Sequence, residues 1–161
     1  MSEKILKALM QLFAIIAKVD GVTSDGRKVV FLFLRQQLNQ DLVDEYLKLF
    51  DQFLEEQPER KKSPEVSRKR TSVKDSVRVL FICTQINAEL TQKQKVVVLI
   101  RLLEFINAGS KTISEQELEF VTTVASTFNI ADREFDNMRN FVLHPDEEPF
   151  RCPELLTIDS N

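Results

Sequence analysis

Oxygen-bearing side chains are concentrated in one short loop, which carries Asp20, Thr23, Ser24 and Asp25. Carboxylate oxygens are ligands for hard divalent cations, and calcium takes about six to eight oxygens. The loop lacks the EF-hand spacing D-x-[DN]-x-[DN]-G-x5-E, so any cation site here would be of another kind. The other interpretation is structural: Asp20 bonds backbone N–H groups in its turn, and Thr23 or Ser24 caps the following helix.

Reaction chemistry is not predicted by the remaining polar residues. His144 is the only histidine, so an HExxH zinc motif is excluded, and we expect His144 to cap a helix C-terminus. The sequence also lacks the phosphate-binding patterns GxxxxGK[ST] and GxGxxG. Cys83 lies in an apolar run and Cys152 precedes a proline; neither has CxxC spacing, which favours a reduced, cytoplasmic chain. We therefore expect a domain that is not an enzyme.

A basic run between residues 60 and 74 is the second candidate site. Its only acid is Glu65, and its seven basic residues are Arg60, Lys61, Lys62, Arg68, Lys69, Arg70 and Lys74. Such a run could bind anionic lipid headgroups or nucleic acid. The alternative is a solvated, mobile linker over residues 57–72, since two prolines and dense charge accompany the basic residues.

Length and composition predict one helical domain. The chain has 161 residues, a formal net charge of -3 and only three glycines, which leaves few of the turns that a many-stranded protein needs. The net charge argues against a dominant nucleic-acid surface. The apolar residues of the N-terminus form an amphipathic stripe without a cleavage site, and no window is apolar enough to span a membrane.

The apolar spacing predicts an all-α fold of about seven helices. We expect helices at 2–18, from 24, from 41, at 72–89, at 92–107, from 115, and from 132 to His144-Pro145. Ser2, Thr91 and Ser114 are the expected N-caps, and Asn129 is an expected break. Helix 5 is apolar around much of its circumference, which places it at the centre of the core. Most of the twelve phenylalanines have helical spacing, so they are assigned to the core. The apolar residues of helix 4 are assigned to it as well: Val77, Leu80, Phe81, Cys83 and Ile86.

The first three helices align with the last three at an offset of about ninety residues. Leu9, Leu12 and Ile16 fall on Leu99, Leu102 and Ile106 in this alignment. Both segments continue with a loop that ends in an aliphatic residue and a Ser/Thr cap, then a short helix, an asparagine break and a third helix. The alternative is that amphipathic helices align with one another by chance. The register predicts two pseudo-symmetric three-helix units with helix 4 bridging them.

The segment LFAIIAKVDGVTSD resembles the TerB (tellurite-resistance) family. The family pattern is a helix that ends in Asp-Gly, then an aliphatic residue, a Ser/Thr/Asp cap and a glutamate in the next helix. Asp20 and Gly21 match it, whereas Arg27 stands in place of the glutamate; Glu117 matches in the second half, where Ser110-Lys111 replaces Asp-Gly. The resemblance implies a TerB-like fold and one divalent cation, with Asp20, Asp25 and Glu117 (or Glu119) as its ligands.

A second resemblance covers nearly the whole chain. Segments 34–54 and 82–106 are similar to the N-terminal cytoplasmic domain of Bacteroidetes-type ABC transporter ATP-binding proteins. This likeness implies a fragment in which residues 1–144 form the helical domain and 145–161 a tail or the start of a following domain. It implies ATP binding outside these residues, and a regulatory domain that recognises a protein partner or a membrane surface. The alternative is a stand-alone TerB-like stress-response domain that binds a divalent metal and has no other cofactor.

Overall fold

The chain folds into seven α-helices in the computed structural model, which describes residues 2–18, 24–56, 65–109 and 113–143. The described residues contain no strand, so the predicted all-α class is confirmed. In chain order the helices are α1 Glu3–Ala17, α2 Ser24–Gln37, α3 Gln40–Glu56, α4 Glu65–Asn87, α5 Gln92–Gly109, α6 Glu115–Thr127 and α7 Asp132–Leu143.

Local capping interactions start the helices where the sequence predicts. Ser2 caps α1, where its hydroxyl accepts a hydrogen bond from the Ile5 N–H at 3.3 Å. At the start of α5 the Thr91 N–H donates to the Gln94 side chain at 2.9 Å, and the Gln94 N–H donates back to the Thr91 hydroxyl at 3.2 Å. Each bond satisfies a backbone donor that the first helical turn leaves without a partner.

The end of α6 is fixed by Asn129, the predicted break. Its φ of 56° is left-handed, a conformation that asparagine tolerates better than most residues. The N–H of Ile130 bonds the carbonyl of Ala125 at 2.9 Å, and the N–H of Asn129 bonds that of Ser126 at 3.1 Å. This pair of bonds is a Schellman motif, which ends α6 and lets α7 begin at Asp132.

The start of α4 differs from the prediction. The helix begins at Glu65, whereas the sequence predicted a linker over residues 57–72 and a helix only from residue 72. Arginine, lysine and glutamate are good helix formers, so a charged run without apolar periodicity can still be helical. Pro64 directly precedes Glu65 in the sequence, and proline suits a helix start. Residues 57–64 lie outside the described residues.

Helix packing follows the predicted three-helix units. The first and third helices of each unit pack together, α1 on α3 and α5 on α7, while α4 contacts α6 of one unit and α1 of the other. The bridging role of α4 is therefore confirmed. The symmetry is incomplete, because α2 packs on α5 whereas α6 packs mainly on α4.

Aromatic rings hold the centre of the core, where the two units meet. The ring of Phe13 on α1 meets the ring of Phe105 on α5 edge to face, with 5.2 Å between the ring centroids. The centroid of Phe33 on α2 lies 6.1 Å from that of Phe13. Phe50 on α3 contacts Phe105 at 6.5 Å. Because α5 packs against α1, α2, α6 and α7, its predicted central position is confirmed.

Candidate interaction surface

Of the three residues predicted to bind a metal, Asp25 and Glu117 lie among the described residues. Asp25 lies exposed in the first turn of α2, Glu117 lies buried in the first turn of α6, and Asp20 lies outside the described residues. Glu119 is exposed on α6. Across the described ranges no three His, Cys, Asp or Glu side chains are grouped so that they could hold a metal ion.

Glu117 has a structural role that its burial makes necessary. Only 5% of the residue is exposed. Its Oε1 accepts a hydrogen bond from the Ser114 N–H at 3.2 Å and lies 3.1 Å from the Ser114 hydroxyl, while the Glu117 N–H donates to that hydroxyl at 3.1 Å. These bonds form the capping box of α6, with Ser114 as its predicted N-cap. A carboxylate at a helix N-terminus also complements the helix dipole, so burial and charge are reconciled without a cation.

Replacing Ser114 with alanine is expected to lower the free energy of unfolding by about 1 kcal/mol, because the Glu117 N–H loses its acceptor. Urea denaturation followed by circular dichroism measures the change. Ser126→Ala is the matched control, since Ser126 is exposed near the other end of α6 and its side chain caps nothing. Equal effects of the two substitutions would contradict the assigned role of the capping box.

Arg27, which stands where the TerB pattern has a glutamate, forms an ion pair with Asp51 of α3. The Nη2–Oδ2 distance is 2.9 Å, and Nη1 donates to Oδ1 of the same carboxylate. The hydrogen bond to Asp51 raises the pKa of Arg27. Both side chains are more than 40% exposed, so we expect only a small gain in stability. The pair joins α2 to α3, which gives the departure from the family pattern a structural use.

The predicted basic surface is divided between the described and undescribed parts of the chain. Arg60, Lys61 and Lys62 lie outside the described residues. Arg68, Lys69 and Arg70 belong to the first two turns of α4, where the structure describes the backbone and not the side chains. Lys74, the last residue of the run, is exposed on the same helix.

An exposed apolar surface on α4 is the feature that the sequence interpretation missed. Phe81 is 62% exposed, Val77 60% and Leu80 48%, although all three were assigned to the core. The opposite side of the helix is buried through Val79, Ile82, Cys83 and Ile86. We refer to Val77, Leu80, Phe81 and the exposed Thr84 as the α4 face.

The sequence did contain a signal for this surface. Apolar residues occupy seven of the ten positions from 77 to 86, and consecutive positions point in directions about 100° apart. A helix that contacts its neighbours on one side cannot bury residues at all of these angles. Some of them had to remain exposed, although the spacing did not say which.

Cations surround the α4 face from two helices. Lys74 and Arg78 are exposed on α4, whereas Asp75, the one acid between Lys74 and Asn87, is 6% exposed. A shallow groove of about 180 Å³ lies beside this helix and is lined by Lys4, Lys7, Ala8, Gln11, Gln85 and Ile86. Gln85 is one turn after Phe81 on the same side of α4, so the two α1 lysines border the apolar surface.

A second groove, of about 660 Å³, lies between α1 and α3. It shares Lys4 and Lys7 with the first and also includes Glu3, Glu45 and Tyr46. Its lining mixes both signs of charge and lies on the α3 side of α1, so it does not extend the α4 face. None of the described helices has the length and hydropathy needed to span a membrane.

The fold and this surface define a class of protein: an all-α domain with a capped helical repeat and an exposed apolar face. Comparison with protein families gives the particular family, since the model for tellurite resistance protein TerB matches residues 6–140. The chain therefore belongs to the TerB family. Neither the curated proteins nor the solved structures contain a match to it.

Proposed function

We propose that this TerB-family chain is a non-catalytic interaction domain that binds its partner through the α4 face. The observation that carries the proposal is the exposure of Val77, Leu80 and Phe81 on successive turns of one helix. Among the described residues only two other large apolar side chains are comparably exposed, Leu32 on α2 and Phe141 on α7. Apolar surface gains free energy when it leaves water, so a continuous patch of this kind favours an interaction site.

The ionisable residues support the non-catalytic part of the proposal. Cys83 is the one cysteine among the described residues, and burial raises the pKa of its thiol to about 12. A nucleophilic cysteine needs the opposite shift, because the thiolate is the reactive form. The two buried carboxylates among the described residues lie in helices: Glu117 caps α6, and Asp75 lies within α4.

Site-specific photo-crosslinking in the native host tests the proposal. A photoreactive amino acid replaces Thr84 in one variant and Thr122 of α6 in the control. The two threonines are matched, since both are exposed and each hydroxyl donates to the carbonyl four residues earlier, at 2.7 and 2.6 Å. We expect a discrete adduct, lipid or protein, from position 84 alone. Equal labelling at both positions, or none at either, would refute a binding surface on α4.

We further propose that the domain works as the N-terminal cytoplasmic part of an ABC transporter-like ATPase, where it regulates or anchors the larger protein. The likeness of segments 34–54 and 82–106 to such domains supports this proposal. Sequencing the complete reading frame tests it directly. A continuous frame that encodes ATPase motifs is expected, and a frame that ends at Asn161 would replace this proposal with a stand-alone TerB-family protein.

The alternative function is divalent-cation binding by Asp20, Asp25 and Glu117. TerB membership and the acidic residues favour it, whereas the Glu117 hydrogen bonds to Ser114 compete with ligation. Calorimetry with millimolar Ca²⁺, Mg²⁺ and Zn²⁺, together with thermal melting, is the test, since a ligand of the native state raises the melting temperature. If binding occurs at these residues, Asp25→Asn should remove both the heat and the rise in melting temperature. If the unaltered chain shows neither heat nor a rise in melting temperature, the metal hypothesis is refuted.

A further inference from the structure

We infer that the α4 face, together with Lys4 and Lys7 of α1, is a peripheral binding site for an anionic lipid bilayer. This inference rests on the proposed function, because it names the partner of the same surface. Of the two kinds of partner, a lipid surface and a protein, the inference names the lipid surface. It rests on the shape, the charge and the spacing of the described side chains.

The shape of the α4 face suits a lipid surface. Val77 and Phe81 lie near the middle of the solvent side of a helix, so they project outward from a convex surface. Protein–protein hot spots are usually well-packed pockets that enclose an anchor residue. The groove beside α4 is only about 180 Å³ and open, so it offers little room for such an anchor. A bilayer interface needs no pocket, since it accepts apolar side chains that project from an amphipathic helix.

The charges around the α4 face complement anionic headgroups. Between Lys74 and Asn87 the exposed charged residues of α4 are both cations, Lys74 and Arg78. Lys4 and Lys7 add two more from α1. The whole chain has a net charge of -3, so this positive region is a local departure from the overall balance. Headgroup attraction acts within about 10 Å at moderate salt.

The spacing lets both kinds of side chain act at once. Val77 and Arg78 lie three and four residues after Lys74, and Phe81 lies four and three residues after them, so all four share one side of α4. Long basic side chains can reach sideways to phosphates while the apolar ones enter the headgroup region.

Vesicle sedimentation with the full 161-residue chain tests the inference. We expect the chain to pellet with phosphatidylglycerol/phosphatidylcholine vesicles and to stay in solution with phosphatidylcholine alone. Phe81→Ala should weaken binding about tenfold, because the largest inserted apolar group is lost. Lys7→Gln and Lys74→Gln should each weaken it about fivefold, and raised salt should weaken it further.

Matched control variants distinguish binding at this site from nonspecific adsorption to vesicles. Phe141→Ala changes a phenylalanine that is 53% exposed on α7, and Lys28→Gln changes an exposed lysine of α2. Both should bind vesicles as the unaltered chain does. Unchanged thermal melting of Phe81→Ala shows that any loss is one of binding and not of folding. Equal losses in the control variants would overturn the inference.

Other outcomes distinguish this inference from the proposed function. If the unaltered chain fails to pellet with anionic vesicles while position 84 crosslinks to a protein, the lipid site is refuted and the interaction domain stands. If the chain instead forms a concentration-dependent dimer that Phe81→Ala abolishes, the α4 face binds a second copy and the lipid site is again refuted. Absence of both vesicle binding and crosslinking would overturn both proposals.

Discussion

Replacing Phe13 with alanine is expected to lower the free energy of unfolding by about 3–5 kcal/mol, the usual cost of removing a buried phenylalanine. Phe13 is 1% exposed, and its ring contacts Phe105 and Phe33 at the junction of α1, α2 and α5. The substitution leaves a cavity and removes an edge-to-face contact between the two three-helix units. For a domain of this size the melting temperature should fall by roughly 6–20 °C.

Thermal melting and urea denaturation, both followed by helical circular dichroism, measure this loss. Phe81→Ala is the matched control, because the same side chain is removed from a position that is 62% exposed. Its effect on stability should stay within about 0.5 kcal/mol. If Phe13→Ala and Phe81→Ala destabilised the chain equally, the assignment of one ring to the core and the other to the surface would be wrong.

The thiol of Cys83 is expected to react at pH 8 about a thousandfold more slowly in the native chain than in the unfolded one. Cys83 is fully buried between apolar residues of α4, and this desolvation raises its pKa from 9.0 to about 12. A shift of this size lowers the thiolate fraction at pH 8 by about three orders of magnitude. Steric exclusion of the reagent slows the reaction further.

The rate of reaction with a disulfide reagent, with and without denaturant, tests this expectation. Cys152→Ser removes the second thiol, so that the measured rate is that of Cys83 alone. As a control, Cys83→Ala and Thr84→Cys are added to that variant, which moves the thiol one position to the exposed side of α4. The relocated thiol should react rapidly in the native chain. Rapid native labelling of Cys83 would contradict the burial of this side of the helix.

The raised pKa also fixes the direction in which this thiol affects stability with pH. Below pH 9.0 Cys83 is protonated in both the folded and the unfolded chain, so its contribution to stability is complete. Between 9.0 and about 12 the unfolded chain releases the proton and the folded chain keeps it. The free energy of unfolding should therefore decrease as pH rises through this window, and less so in Cys83→Ala.

The sequence by itself determined the helices and most of their ends. Ser2, Thr91 and Ser114 were identifiable as caps because their hydrogen bonds reach only three residues along the chain. Asn129 was identifiable as a break for a similar reason, since its left-handed φ is a local property. The core phenylalanines of α1 and α5 also followed from their helical spacing. Interactions over a few residues are visible in a linear pattern.

Tertiary structure alone decided which side of α4 faces water. Seven apolar positions between 77 and 86 could not all be buried, and the packing of α4 on α1 and α6 left Val77 and Phe81 outside. The pair of Arg27 with Asp51 joins residues 24 positions apart and was equally invisible. Spacing states which residues share a helix face, whereas only long-range packing determines what covers that face.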